Sequence, residues 1–245
     1  MGGGMKKLLL STVSVLALAS AASAADVPVK AVRAPVEIPT WAGFYLGIQG
    51  GIAGSRGSFT SLGPQDAVGI VAGNEYTANR TGGIFGINAG YNFQSGNFVY
   101  GIEGDWSWLG AKATDNLAFP FGFSTTNSFD VRWLATVRGR FGITTGPALF
   151  YLTGGVAFAD VNNQSLSLFP NGNINANIVD SRTKTGWTVG GGIEYMFAPH
   201  WTARVEGRYV DLGKSTATFN LNFGTYQGEF RNSLLIGLLG LAYKF

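Results

Sequence analysis

Charged residues that could do chemistry in this chain stand at alternate positions of otherwise apolar segments. Glu103 and Asp105 are two residues apart, as are Arg138 and Arg140. A spacing of two places side chains on one face of a β-strand, where acids and arginines of neighbouring strands can form ion pairs. The complete predicted set is Glu103, Asp105, Arg132, Arg138, Arg140, Glu194, Arg204, Glu206 and Arg208. The pattern indicates mutual charge neutralisation in one shared interior.

The sequence offers little for catalysis or metal binding. It contains no cysteine, and its single histidine, His200, lies beside Pro199 with no triad context. No histidine or carboxylate cluster has metal-ligand spacing, and no lysine and arginine stripe matches a phosphate backbone. We therefore predict no enzymatic activity, no cofactor, no metal and no nucleic-acid partner.

The N-terminus has the pattern of a secretory signal peptide. Lys6 and Lys7 precede an apolar run over 8–19, and small residues follow at 22–24. This predicts a cleaved signal at 1–24, with cleavage between Ala24 and Ala25, which lowers the formal charge from +3 to +1. Residues 25–40 contain three prolines and are predicted to be a proline-rich periplasmic lead-in.

Eight segments of alternating apolar and polar residues come next. They cover about 41–54, 82–94, 98–111, 129–143, 148–161, 185–197, 201–212 and 230–245. A tilted transmembrane strand needs about 9–11 residues, and spanning strands must close into a barrel to pair their backbone groups. We predict that 41–245 is all-β: an eight-stranded antiparallel up-and-down β-barrel in the outer membrane. In the fourth segment, Val131 is expected to face lipid and Arg132 the interior.

The connections between these segments alternate in length. Tight turns near 96, 146 and 199 alternate with long stretches at about 55–81, 112–128, 162–184 and 213–229. Bacterial barrels have short periplasmic turns and long external loops, which predicts the orientation. Because the long stretches are rich in Ser, Thr, Asn and Gly, we expect four mobile external loops.

Five short motifs carry a resemblance to a known family. They are Ala25-Asp26-Val27-Pro28, Trp41-Ala42-Gly43-Phe44-Tyr45, Arg138-Gly139-Arg140-Phe141-Gly142, Gly190-Gly191-Gly192-Ile193-Glu194-Tyr195 and Tyr243-Lys244-Phe245. In their order and spacing, the chain resembles the small immunogenic outer-membrane proteins of α-proteobacteria, the RopB-type family. The resemblance implies an abundant, surface-exposed, eight-stranded barrel without known catalysis.

The interior of such a barrel bears on its function. Eight strands leave an interior just wide enough for side chains to fill, and charges persist there only when paired. This favours a structural barrel that supports envelope integrity and is sealed by its ion pairs. Two alternatives stay open: loops that bind an external ligand or host surface, of adhesin or haem-binding type, and a narrow porin-like pore. The oligomeric state is also open.

The C-terminus continues the alternation to its last residue. The outward series Leu239, Leu241, Tyr243 and Phe245 resembles a terminal assembly signal for outer-membrane barrels. We expect the barrel assembly machinery and periplasmic chaperones as partners during biogenesis. Outer-membrane lipid and lipopolysaccharide are the partners expected afterwards.

Overall fold

A closed antiparallel barrel of eight strands, paired in sequence order, makes up the described part of the chain. The computed structural model describes residues 40–62, 75–118, 122, 124–221 and 224–245. The strands are β1 Gly43–Ser61, β2 Glu75–Ser95, β3 Phe98–Ala118, β4 Ser124–Thr145, β5 Ala148–Leu168, β6 Ile174–Ala198, β7 Trp201–Leu221 and β8 Gly224–Lys244. The predicted fold class is confirmed. The predicted signal peptide, its cleavage site between Ala24 and Ala25, and the lead-in up to residue 39 lie outside the described residues.

Two-residue turns connect the strands at one end of the barrel. They are Gly96-Asn97, Gly146-Pro147 and Pro199-His200. Gly96 and Gly146 both have a φ of 59°, a left-handed conformation that glycine adopts without a Cβ clash. We call this end the turn end and the opposite one the extended end. Within the ranges described above, no helix is long and apolar enough to cross a membrane.

The strands run far beyond the length that a membrane requires. They contain 19 to 25 residues, whereas about 9–11 suffice to span. Within the described residues, the stretches for which the sequence predicted mobile loops are largely paired strand: β3 continues to Ala118, where it pairs with Ser124 of β4. The sequence pattern misses these extensions because polar residues on both faces remove the apolar alternation, although the backbone ladder continues.

Two of the eight ladders stop early at the extended end. The described pairing of β2 with β3 ends at Ile84 opposite Leu109, and that of β6 with β7 ends at Trp187 opposite Asp211. The other six ladders continue nearly to the strand tips. Beyond the closed barrel, the described strands therefore form two four-stranded sheets, β3 to β6 and β7-β8-β1-β2, separated by two seams.

Large apolar side chains cover the outside of the closed barrel, as the alternation predicted. In β3, for example, Phe98, Tyr100 and Ile102 are exposed, whereas Val99 and Glu103 are buried. In a membrane, the exposed side chains of this band face lipid.

The alternation slips by one residue in β4. Val131 and Leu134 are both buried although they are three residues apart, and the pairing with β5 shifts between Val131 and Trp133. One inserted residue, a β-bulge, reverses the facing of every position beyond it. The predictions that Val131 faces lipid and that Arg132 faces the interior are therefore wrong.

Candidate functional site in the barrel interior

Arg138 lies at the centre of an ion-pair network inside the barrel. Its guanidinium donates to Glu206 at 2.6 Å, to Asp105 at 3.2 Å and to Glu103. The strand register explains the last contact, because Glu103 of β3 lies directly opposite Arg138 of β4. Both side chains are fully buried. One arginine thus neutralises carboxylates from β3 and from β7 on the other side of the barrel.

Three further arginines complete the network. Their ion pairs are Arg204–Glu103 (2.5 Å), Arg208–Asp105 (3.1 Å), Arg208–Glu206 (2.9 Å) and Arg140–Glu194. Four carboxylates therefore face four guanidinium groups, and the network is formally neutral. Neutrality matters because an uncompensated buried charge costs several kcal/mol, on the order of 3–5 when one partner is removed.

Neutral side chains satisfy further oxygens of the carboxylates. The hydroxyls of Tyr45 and Tyr151 donate to Glu103 and Glu206, each at 2.8 Å. The guanidinium of Arg140 lies over the Tyr151 ring, 3.9 Å from its centroid. The alternation of the sequence places both tyrosines on the inward face, but their residue type alone does not mark them as part of a charged site.

Glycines on the inner wall make room for the two tyrosines. A Cβ at Gly90 would lie 2.4 Å from the Tyr45 hydroxyl oxygen, and one at Gly192 would lie 2.8 Å from the Tyr151 hydroxyl oxygen. Both distances are shorter than van der Waals contact, so β2 and β6 carry no side chain where the tyrosines cross the interior. These glycines belong to the site, although residue chemistry alone does not mark them.

Apolar side chains enclose the charged layer on both sides. Toward the turn end, the cluster consists of Trp41, Val99, Leu149, Tyr151 and Met196. Toward the extended end, it consists of Ala53, Ile84, Leu109, Val131, Leu134, Ala157, Ala159, Val161, Val210, Leu212, Leu234, Ile236 and Leu238. The described interior therefore has three layers: apolar, ion-paired and apolar.

Arg132 is the one predicted interior charge that the structure places elsewhere. Its side chain is 56% exposed on the outer surface, 3.9 Å from both Asp130 and Asp160. The β-bulge at Val131 moves it there. The structure thus brings together eight of the nine charged residues that the sequence singled out.

The C-terminal residues close the barrel against β1. Leu239, Leu241, Tyr243 and Phe245 are all exposed on the outer face of the closing strand. The Phe245 amide donates to the Phe44 carbonyl at 2.9 Å, and the rings of Tyr243 and Phe245 lie 5.1 Å apart. The last residue is therefore held in the ladder.

His200 makes contacts that hold the C-terminal strand in place. Its Nδ1 lies 2.8 Å from the Lys244 carbonyl oxygen, and its ring stacks on Tyr243. No group of three histidines, cysteines or carboxylates in the part of the chain that the structure describes is placed to hold a metal ion.

Comparison with known proteins identifies the family. A family model described as the outer membrane protein β-barrel domain matches residues 11–245. The chain belongs to this family. The outer-membrane barrel is 35% identical over 258 aligned residues to the 31 kDa outer-membrane immunogenic protein of Brucella melitensis, covering 98% of this chain and 100% of that protein. It is also 31% identical to a 22 kDa outer membrane protein of Rhizobium leguminosarum, covering 84% and 81% of the two chains.

A solved structure shares the fold of this outer-membrane barrel. The outer membrane protein OprG of Pseudomonas aeruginosa matches with a TM-score of 0.53 and 15% identity, covering 83% of this chain and 96% of that chain. At this identity the likeness concerns the fold alone. The relatives confirm the resemblance to the α-proteobacterial family and the location in the outer membrane.

Proposed function

We propose that this outer-membrane barrel is a structural, non-enzymatic protein that supports the integrity of the envelope and whose interior is sealed. The observation that carries the proposal is the neutral ion-pair layer enclosed between two apolar layers. An interior that side chains fill leaves no open path for water. Here Leu234, Ile236 and Leu238 fill the extended half, and Trp41 fills the turn end.

The network also supports a mechanical role. Arg138 ties β4 to β3 and β7, and Arg204 ties β7 to β3 and, through Gln49 at 2.7 Å, to β1. Ion pairs and hydrogen bonds that cross the barrel oppose flattening of its round cross-section by the lateral pressure of the lipid. A rigid barrel closed by eight pairs of neighbouring strands is better suited to an abundant structural component of the envelope than to a gated transporter.

A deletion strain tests the envelope role. Loss of the protein is expected to make cells hypersensitive to detergent, and the wild-type gene is expected to restore resistance. A trimmed variant, in which 113–129 is replaced by Asn-Gly so that Lys112 still pairs with Asp130, is expected to restore it equally. Rescue by the wild type but not by the trimmed barrel, at equal abundance in the outer membrane, would contradict the proposal.

A second candidate function is the binding of an external ligand or host surface by the extended end. Two four-stranded sheets beyond the closed barrel favour it, because they form an ordered surface where flexible loops would not. Because outer-membrane barrels have short periplasmic turns, the extended end is expected to lie outside the cell and the turn end in the periplasm. Loss of host-cell or ligand binding by the trimmed variant, with detergent resistance intact, would support this candidate.

A further inference from the structure

A cleft lies on the outer wall of the barrel, where the closed part passes into the extended end. It has a volume of about 610 Å³ and spans β2, β1, β8 and β7. Its lower row, in register across the four strands, is Thr81, Gly54, Leu235 and Tyr209. Gly54 has no side chain between its neighbours, and this leaves the cleft open.

The next row toward the extended end is polar. Arg56 of β1 lies opposite Asn79 of β2 and Ser233 of β8. Arg56 is exposed, and it forms no ion pair with any residue that the structure describes. A guanidinium with free donors beside hydroxyl and amide groups is suited to a phosphate carried on a sugar.

Two more cations lie on the same face, one row further out. Arg231 is diagonal to Arg56 across the β1–β8 ladder, and Lys214 pairs directly with Arg231. Each has one acidic partner: Asp211 is 2.9 Å from Arg231, and Glu229 is 2.8 Å from Lys214. These cations and acids cancel, so the charge of Arg56 leaves this face positive.

The position of the cleft along the barrel axis determines which ligands can reach it. Tyr209 packs against Trp187, with ring centroids 5.5 Å apart, in the aromatic rim where the lipid-facing band ends. Leu235 at the level of this rim and Ile52 below it are exposed toward the acyl chains, and above the rim the face is polar. A ligand here must have an anionic head at the level of Arg56 and a hydrocarbon part at the level of Leu235.

From these placements we propose that the cleft at Gly54, Arg56 and Ser233 binds the phosphorylated glucosamine of lipid A, the lipid anchor of lipopolysaccharide. The proposal rests on the orientation given under the proposed function, because the extended end must face outward for the cleft to lie in the outer leaflet. The opposite wall is a natural control. There Arg132 lies at 3.9 Å from both Asp130 and Asp160, so its charge already has acidic partners.

Titration of the folded full-length protein in detergent micelles with diphosphoryl lipid A, followed by native mass spectrometry, tests the site. R56A removes the charge-assisted hydrogen bonds of the guanidinium, so it is expected to weaken lipid A binding by roughly ten-fold or more. G54L is expected to fill the cleft and abolish binding; the added Cβ meets only the Leu235 carbonyl oxygen, at 3.6 Å. R132A is expected to bind like the wild type.

Ligand controls separate lipid A from other sources of phosphate. Dephosphorylated lipid A, phosphatidylglycerol and inorganic phosphate are each expected to bind at least about ten-fold more weakly, since each lacks part of the head or the acyl anchor. Equal binding by R56A and wild type, or by phosphatidylglycerol and lipid A, would overturn the proposal. Failure of the sealed-barrel function would be seen separately, as ion conductance of the wild type whatever its lipid binding.

Discussion

Three carboxylates share the guanidinium of Arg138, and no solvent reaches it. A buried ion pair adds little stability over a well-packed apolar pair, but removal of one partner leaves an uncompensated charge. The network is therefore most sensitive to changes that break its neutrality. Arg132, which sequence alternation placed in the same set, has no such role because it lies outside.

Replacement of Arg138 by methionine tests this sensitivity. The change leaves Glu103, Asp105 and Glu206 with one cation too few, and we expect Arg138→Met to lower the free energy of unfolding by about 3–5 kcal/mol. Urea unfolding in detergent micelles, followed by tryptophan fluorescence, measures the loss. Arg132→Met is the matched control and is expected to unfold close to the wild-type midpoint; equal losses in both variants would refute the interior role of Arg138.

Gly90 tests the packing around the Tyr45 hydroxyl. Gly90→Ala places a Cβ 2.4 Å from that oxygen and 2.6 Å from the Ile102 carbonyl oxygen, and overpacking of this kind costs about 1–3 kcal/mol. We expect a lower thermal midpoint in the gel assay that separates folded from unfolded barrel. Gly207→Ala, where a Cβ meets nothing within 4 Å, should match or slightly exceed the wild type, and a larger loss there than at Gly90 would contradict the packing account.

At the scale of the strands, the sequence predicts the alternation of apolar and polar side chains in the segments that lie in the bilayer. Phe98, Tyr100 and Ile102 alternate with inward residues because one face of the strand is in lipid, and that contrast is visible in the sequence. Beyond the membrane both faces are polar, so the ends of β3 and β4 leave no such signal. The bulge at Val131 is equally hidden, because one inserted residue changes the facing without changing the composition.

The sequence predicts which side chains lie in the interior, but it does not predict which of them pair with each other. Alternation placed Glu103 and Arg138 inside, and adjacent strands made their contact plausible. The contacts of Arg138 with Glu206 and of Arg204 with Glu103 cross the barrel, so they depend on strand tilt and on the glycines that admit Tyr45 and Tyr151. Strand tilt and these close approaches depend on the pairing of all eight strands and not on the sequence of any one segment.

The closing strand carries a prediction of its own. Phe245 follows β8 directly, ends its outward series and is held to Phe44 by a backbone hydrogen bond of 2.9 Å. If this terminus is an assembly signal, deletion of Phe245 should reduce the amount of folded protein in the outer membrane and leave periplasmic material for proteases. Quantitative blotting of membrane fractions measures this.

The matched control for that deletion is Phe93→Ala, which removes an aromatic ring of similar exposure from the same end of the barrel but away from the terminus. We expect Phe93→Ala to assemble normally. Normal surface display of the protein without Phe245 would count against the signal.

At the scale of the whole molecule, the barrel has an apolar band outside and a charged layer inside. The outer band suits the bilayer, the charged layer compensates its own charges, and one apolar cluster lies on either side of that layer. The two sheets of the extended end then present a polar surface beyond the membrane. Function at that surface can change without altering the barrel beneath it.

Conductance of the purified protein in planar lipid bilayers tests the sealed interior most directly. We predict no stable single-channel steps from the wild-type barrel at protein densities where a porin control conducts. Insertion is verified in the same membranes by protease protection of the barrel. Reproducible single-channel steps of one size from the inserted wild-type protein would contradict the sealed interior and indicate a pore.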